Sequence, residues 1–149
     1  MPFTVVVVLH DSAGELAALL RSIDAHAGER PQLVVVDTGS ADGGAERAAA
    51  WGAEVLERRD NPGFGAACNA GLEGARHGVS VLLNPDCELL DGSLAALVAF
   101  VRSHPRALHV PRLLNADGSV QRSAHPVPGT LGALCGAVLP PPLDRKSVV

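Results

Sequence analysis

Four short stretches carry side chains that could do chemistry: LHDS at residues 9–12, VVVDTGS at 34–40, DNPGFGAACN at 60–69 and LNPDCE at 83–88. The second, an apolar run closed by Asp-Thr-Gly-Ser, has the letters of an aspartic-protease acid site. That chemistry needs two carboxylates brought together on an all-β scaffold. Asp37 instead leads into GGAERAAAW, a helical stretch, so a single protease copy does not fit. The alternative is a buried strand that ends by delivering Asp37 to a ligand crevice. LNPDCE places Asn84, Asp86 and Glu88 two apart, and on an extended chain such residues share a face. A hard divalent cation takes one or two carboxylates together with substrate phosphate oxygens. An Asn-Pro-Asp turn with a solvated acid is the competing reading.

DNPGFGAACN approaches the dinucleotide fingerprint G-x-G-x-x-G, with Asp86 at the end of the following strand. Cys68 replaces the third small residue, Pro62 interrupts the entry, and the preceding EVLERR is the most polar strand of the chain. Two βα units also precede it, whereas that fingerprint belongs to the first.

The elements that must position these groups follow from the apolar pattern. Residues 3–9 (FTVVVVL) and 33–36 are continuous β-branched runs, as expected of strands covered on both faces. A more polar strand over 54–58 belongs near an edge, and 79–83 reads as a fourth, apolar strand. Between them, Ser12 and Glu15 form a capping box that opens a helix with Leu16, Leu19, Leu20 and Ile23 on one stripe. Helices are predicted over 44–51, capped by Ser40 or Asp42 and stopped by Gly52, over 64–76, and over 93–103, stopped by Pro105. A fifth short strand is predicted at 107–110, and Asn115-Ala-Asp-Gly118 is a turn joining 112–114 to 119–121.

Strands alternating with helices at these lengths predict an α/β fold with a mostly parallel sheet and helices on both faces. In such a sheet, ligands sit outside the carboxyl ends of the strands. His10, Asp11, Asp37, Asp60, Asn61, Asn84 and Asp86 all fall there, more polar groups than capping requires. Any one of them singly is also a common turn residue.

The bulk composition agrees with a folded domain. The 149 residues are 47% hydrophobic and 19% charged, with a net charge of -4 that calls for neither nucleic acid nor an anionic membrane. Aromatics make up only 3%, leaving few platforms on which bases or sugars could stack. Cys68, Cys87 and Cys135, without a C-x-x-C pair, suggest reduced thiols in the cytoplasm. The N-terminus lacks the basic region of a signal peptide, and no apolar run is long enough to span a bilayer.

In order, VVVVLHDSAGELAALLRSI, VVVDTGSADGG, DNPGFGAACNAGL, VLLNPDCELL and HVPRLLNADGSVQRS resemble the family-2 glycosyltransferases of the GT-A fold, closest to the rhamnosyltransferase-like bacterial members. The likeness runs from about Phe3 to about Pro128. It implies transfer, with inversion, of a sugar from a dTDP-, UDP- or GDP-linked donor to a glycan, lipid or polysaccharide acceptor, using Mg²⁺ or Mn²⁺. Asp37 would match the acid that hydrogen-bonds the donor's base, and His10 and Ser12 would lie beside the nucleoside. Asn61, Gly63 and Asn69 would close over the nucleotide, and Asp86, with Asn84 in place of the usual first acid, would stand nearest the metal and diphosphate. Leu9-His10-Asp11 departs from the family's Asn-Tyr-Asn-like run, and Thr38 stands where Asn is frequent.

The resemblance further implies a donor-binding core over 1–128. The tail over 129–149 is Gly/Pro-rich, apolar and expected to be partly disordered. No Glu-Asp pair follows Asp86, so the catalytic base is expected in a following acceptor-binding half, and the chain is expected to stop before it. A catalytically silent nucleotide-binding or interaction module is the alternative, with copies pairing as a homodimer through the apolar segment 131–139. The expected location is cytoplasmic, at the inner face of the membrane.

Overall fold

The computed structural model describes residues 2–121. They fall into two compact units divided between His109 and Val110. The expected boundary at 128, the tail, the apolar segment 131–139 and Cys135 lie outside the described residues.

The first unit alternates strand and helix: β1 (Thr4–Leu9), α1 (Ala13–His26), β2 (Gln32–Asp37), α2 (Gly44–Trp51), β3 (Glu54–Glu57), α3 (Phe64–Glu73), β4 (Ser80–Leu83) and α4 (Ser93–Ser103). The strands form one four-stranded sheet in the order β3-β2-β1-β4, with every pairing parallel. The polar strand therefore does lie at an edge. The two continuous apolar runs take the centre, where both faces must be covered.

Alternate residues of the central strands serve different layers. Val5, Val7, Leu9, Leu33 and Val35 join Leu16, Leu19, Leu20 and Ile23 of α1 and Leu94 and Val98 of α4 in the main core. Each such side chain contributes about 1.5–3 kcal/mol by leaving water. Helix α3 packs on the opposite face and buries only small residues, Ala67, Cys68 and Gly71. A Cβ at Gly71 would collide with Val6 Cγ1 and press on Val36 Cγ2, so glycine is what lets α3 approach the sheet. Trp51 of α2 is held by Asp24 and Arg30: its indole N–H donates to Asp24 Oδ2 at 2.9 Å, and the Arg30 guanidinium stacks 4.2 Å above its ring.

Several local readings need correction. Ser12 stands at the N-cap of α1, but its hydroxyl makes no capping bond and donates to His10 O at 2.8 Å. The cap comes instead from Asp42, whose Oδ2 accepts the Ala13 N–H at 2.7 Å. Strand β4, expected over 79–83 as an apolar strand, forms over Ser80–Leu83 and is half exposed, because among the described residues it pairs only with β1; Leu82 retains 49% of its accessible surface. Helix α3 ends at Glu73, three residues short of the expected stretch. No strand forms at 107–110, where Leu108 is almost fully exposed. Helices α2 and α4 have the expected bounds, and Gly52 closes α2 at φ +105°, a left-handed conformation that suits glycine.

In the second unit the Asn115–Gly118 turn closes through Gly118 N–H to Asn115 O at 2.8 Å. The pairing it joins is a single antiparallel bridge between Leu114 and Val120. No helix among the described residues is long and apolar enough to cross a membrane.

Candidate nucleotide-binding site at the carboxyl rim

Because all four strands run parallel, the segments that follow them gather at one rim. Register fixes which residues meet there: Leu9 pairs with Asp37, and Asp37 pairs with Glu57.

Asp37 is the buried carboxylate of the rim, 5% exposed. Ser40 holds it in place. The Ser40 N–H lies 3.3 Å from both carboxylate oxygens, and the Ser40 hydroxyl donates a short bond to Oδ1. Oδ2 keeps open accepting capacity. Next to it, Thr38 sends both its N–H and its hydroxyl to Leu9 O, each at 2.9 Å. His10 Nδ1 lies 3.2 Å from Thr38 O. A carbonyl only accepts, so in this contact Nδ1 is the donor.

The loops after β1 and β2 are laced together. Asp11 N–H donates to Ser40 Oγ at 3.0 Å, and Asp11 Oδ1 accepts the Ala41 N–H at 2.8 Å. Asp11 adopts φ +44° to do so, an uncommon conformation that Asp tolerates better than most residues. Asp42 then ties Ala13 and Gly44 to the same loop, and the Ala13 N–H above all holds its carboxyl below the usual carboxylate range.

After β3, the chain turns through Asn61 at φ +40° and Gly63 at φ +88°, ψ 159°, the latter a region open essentially to glycine alone. Asp60 is occupied by Arg58 through two contacts of 3.1 Å, which hold its carboxyl below the usual range. Asn69 is exposed on α3. After β4, Cys87 N–H closes a turn onto Asn84 O at 3.2 Å, and Asn84 and Asp86 are both exposed. This loop is anchored from below. The buried Ser22 of α1 donates to Leu19 O at 2.7 Å and accepts the Leu89 N–H at 3.0 Å.

Hydrogen bonds thus unite His10, Asp37 and the Ser12 segment through Thr38, Ser40 and Asp42. Asn61, Gly63 and Asn69 stand after the adjacent strand, and Asn84 and Asp86 after β4. Among the described residues, no three His, Cys, Asp or Glu side chains cluster to cage a metal. The donor set of Asp86 and Asn84 suits a hard cation only if phosphate oxygens complete its shell.

A cleft of about 410 Å³ opens beside Asp37, and Glu46, Glu57 and Arg59 line it. Sequence reasoning passed over these three. Charged residues at a helix start and a strand end look like solvated surface, and only the register of β3 against β2 brings Glu57 level with Asp37.

Comparison with known proteins agrees with this architecture. The family model for glycosyl transferase family 2 matches residues 4–131. No curated protein matches the chain significantly. Among solved structures, S. aureus TarS 1-349 superposes with a TM-score of 0.61 at 20% identity, over 78% of this chain and 40% of that one. The mannosyltransferase PcManGT from Pyrobaculum calidifontis, in complex with GDP-Man and Mn²⁺, gives 0.61 at 21%, over 76% and 34%. Glucosyl-3-phosphoglycerate synthase from Mycobacterium tuberculosis, with Mn²⁺, UDP and glucosyl-3-phosphoglycerate, gives 0.54 at 22%, over 66% and 38%. At such identities the likeness speaks for the fold, which is the GT-A arrangement of a mostly parallel sheet flanked by helices. The chain spans two fifths or less of the length of these structures. With the family model spanning both the laced loops and the Asp86 turn, the chain belongs to glycosyl transferase family 2.

Proposed function

We propose that this chain is the donor-binding part, over 1–128, of an inverting hexosyltransferase that takes a nucleotide-diphosphate sugar. The observation that carries the reading is Asp37, a buried carboxylate with an open oxygen, set at the carboxyl rim of a parallel sheet where ligands of such folds bind. Asp37 accepts a hydrogen bond from the donor's base. His10 and Ser12 flank the nucleoside, and the Asn61, Gly63 and Asn69 segment covers the nucleotide. Asp86 and Asn84 would hold Mg²⁺ or Mn²⁺. Such an ion neutralises charge on the departing diphosphate. The presence of Mn²⁺ in two of the similar structures supports that choice. The motifs favour a rhamnosyltransferase-like donor, a glycan, lipid or polysaccharide acceptor, and work at the cytoplasmic face of a membrane. The base that deprotonates the acceptor hydroxyl is assigned to no described residue.

Isothermal titration with UDP, dTDP and GDP, with and without Mn²⁺, tests the reading. Binding by at least one nucleotide is expected, weakened about tenfold or more in Asp37→Ala and made insensitive to Mn²⁺ in Asp86→Ala. If none of the three nucleotides binds the folded protein, the reading falls.

A further inference from the structure

The cleft beside Asp37 has a composition that selects among bases. Three carboxylates, Asp37, Glu46 and Glu57, face one guanidinium, Arg59. Acids in that excess repel a diphosphate, so the part of a nucleotide that enters is its uncharged base. Asp37 and Glu57 are register partners on adjacent parallel strands, and opposed residues share a face. The two acceptors therefore rise side by side. Oδ1 of Asp37 is committed to the Ser40 hydroxyl, whereas Oδ2 has only the 3.3 Å amide contact and can accept more. Arg59 reaches Glu57 Oε2 at 3.2 Å, but both side chains are largely exposed, at 84% and 58%. Such a pair is weak enough for the guanidinium to exchange partners.

Resting on the nucleotide-sugar reading, we infer that the base recognised in this cleft is guanine, with Glu57 and Arg59 as its specificity-determining residues. Guanine alone combines two acceptors on one edge, O6 and N7, with neighbouring N–H donors at N1 and N2 on the next. A guanidinium fork matches the first edge bidentately, and carboxylates match the second. Uracil and thymine offer a single N–H between two carbonyls, so the remaining carboxylates would face oxygen. Adenine presents an amine where Arg59 needs an acceptor.

Equilibrium titration of the 149-residue chain with GDP, IDP, UDP and dTDP in the presence of Mn²⁺ tests this inference. GDP is expected to bind at least about tenfold more tightly than UDP or dTDP. IDP, which lacks only the exocyclic amino group, is expected to fall about tenfold below GDP. Glu57→Gln and Arg59→Gln, both exposed substitutions that leave the core untouched, are expected to erode the preference for GDP. Equal or tighter binding of UDP or dTDP overturns the guanine assignment and leaves the nucleotide-sugar reading standing. A GDP preference that is indifferent to the amino group and to both substitutions overturns the roles given to Glu57 and Arg59. Failure to bind any of the four removes both readings.

Discussion

Asp42 caps a helix that is not its own: its Oδ2 accepts the Ala13 N–H of α1 at 2.7 Å across a separation of 29 residues. The same carboxylate accepts the Gly44 N–H at the start of α2 at 3.1 Å. One acid therefore joins the first turns of two helices directly beneath the rim. The Ala13 contact, ahead of the others, lowers its proton affinity. A carboxyl whose folded-state pKa is depressed stabilises the fold above its unfolded value of about 3.9 and loses that contribution as pH falls through the folded value. Asp42→Ala should therefore lower Tm at pH 7. Its gap from the unmodified protein should close as pH drops below about 4, measured by thermal melts across pH. A gap that stays constant with pH would show that the carboxylate's charge is irrelevant.

Ser22 is expected to matter at a distance. Its hydroxyl bonds Leu89 N–H from below the Asn84–Asp86 turn, so Ser22→Ala leaves that donor without its partner. Loss of about 1–3 kcal/mol of stability is expected by denaturant titration. Nucleotide binding should also become less responsive to Mn²⁺, while affinity without metal stays nearly unchanged. Equal losses in both conditions would mark Ser22 as purely structural.

Gly71→Ala should destabilise by about 1–3 kcal/mol, because the new methyl group overpacks a tight contact. The atoms in its way are Val6 Cγ1 and Val36 Cγ2, both on central strands that cannot yield without disturbing the sheet. Gly65→Ala on the same helix meets nothing within 4 Å and is the control, expected to be neutral or slightly stabilising from improved helix propensity. Chemical denaturation of the two variants compares them directly.

Cys68 and Cys87 should both be sluggish thiols. Burial pushes each thiol up from its ordinary range, and only the thiolate reacts. Iodoacetamide at neutral pH, followed by peptide mapping, should label both more slowly than a free cysteine, with protection lost in denaturant. Rapid labelling of Cys68 in the folded protein would contradict its burial on the inner side of α3.

Much of the framework was legible in the letters. The valine-rich runs of β1 and β2 could only be central strands, and α4 is bounded by a clear apolar stripe and Pro105. The positions of Asp37 at the end of β2 and of Asp86 just after β4 were legible because each follows an apolar run. What escaped were relationships across loops. Ser12 and Glu15 have the spacing of a capping box, yet the Ser12 hydroxyl turns to His10 O while Asp42 takes its place, a competition local sequence cannot express. Leu108 and Val110 have strand letters but, in the described structure, no neighbouring strand. Glu57 and Arg59 looked like surface charge because local sequence does not show that they line the cleft beside Asp37.

That last point bears on how the site could be lost. Leu9, Asp37 and Glu57 stand level across three parallel strands, so the cleft depends on alignment as much as on composition. A slip of β2 by a single residue would send Asp37 to the face beneath α3 and bring Val36 into its place among the acids. A library that conserved every rim residue while loosening strand pairing is therefore expected to lose the proposed recognition without touching one proposed contact group. On the proposed reading, sheet registry is itself a heritable part of the binding apparatus, and selection on ligand affinity would act on valines far from any ligand.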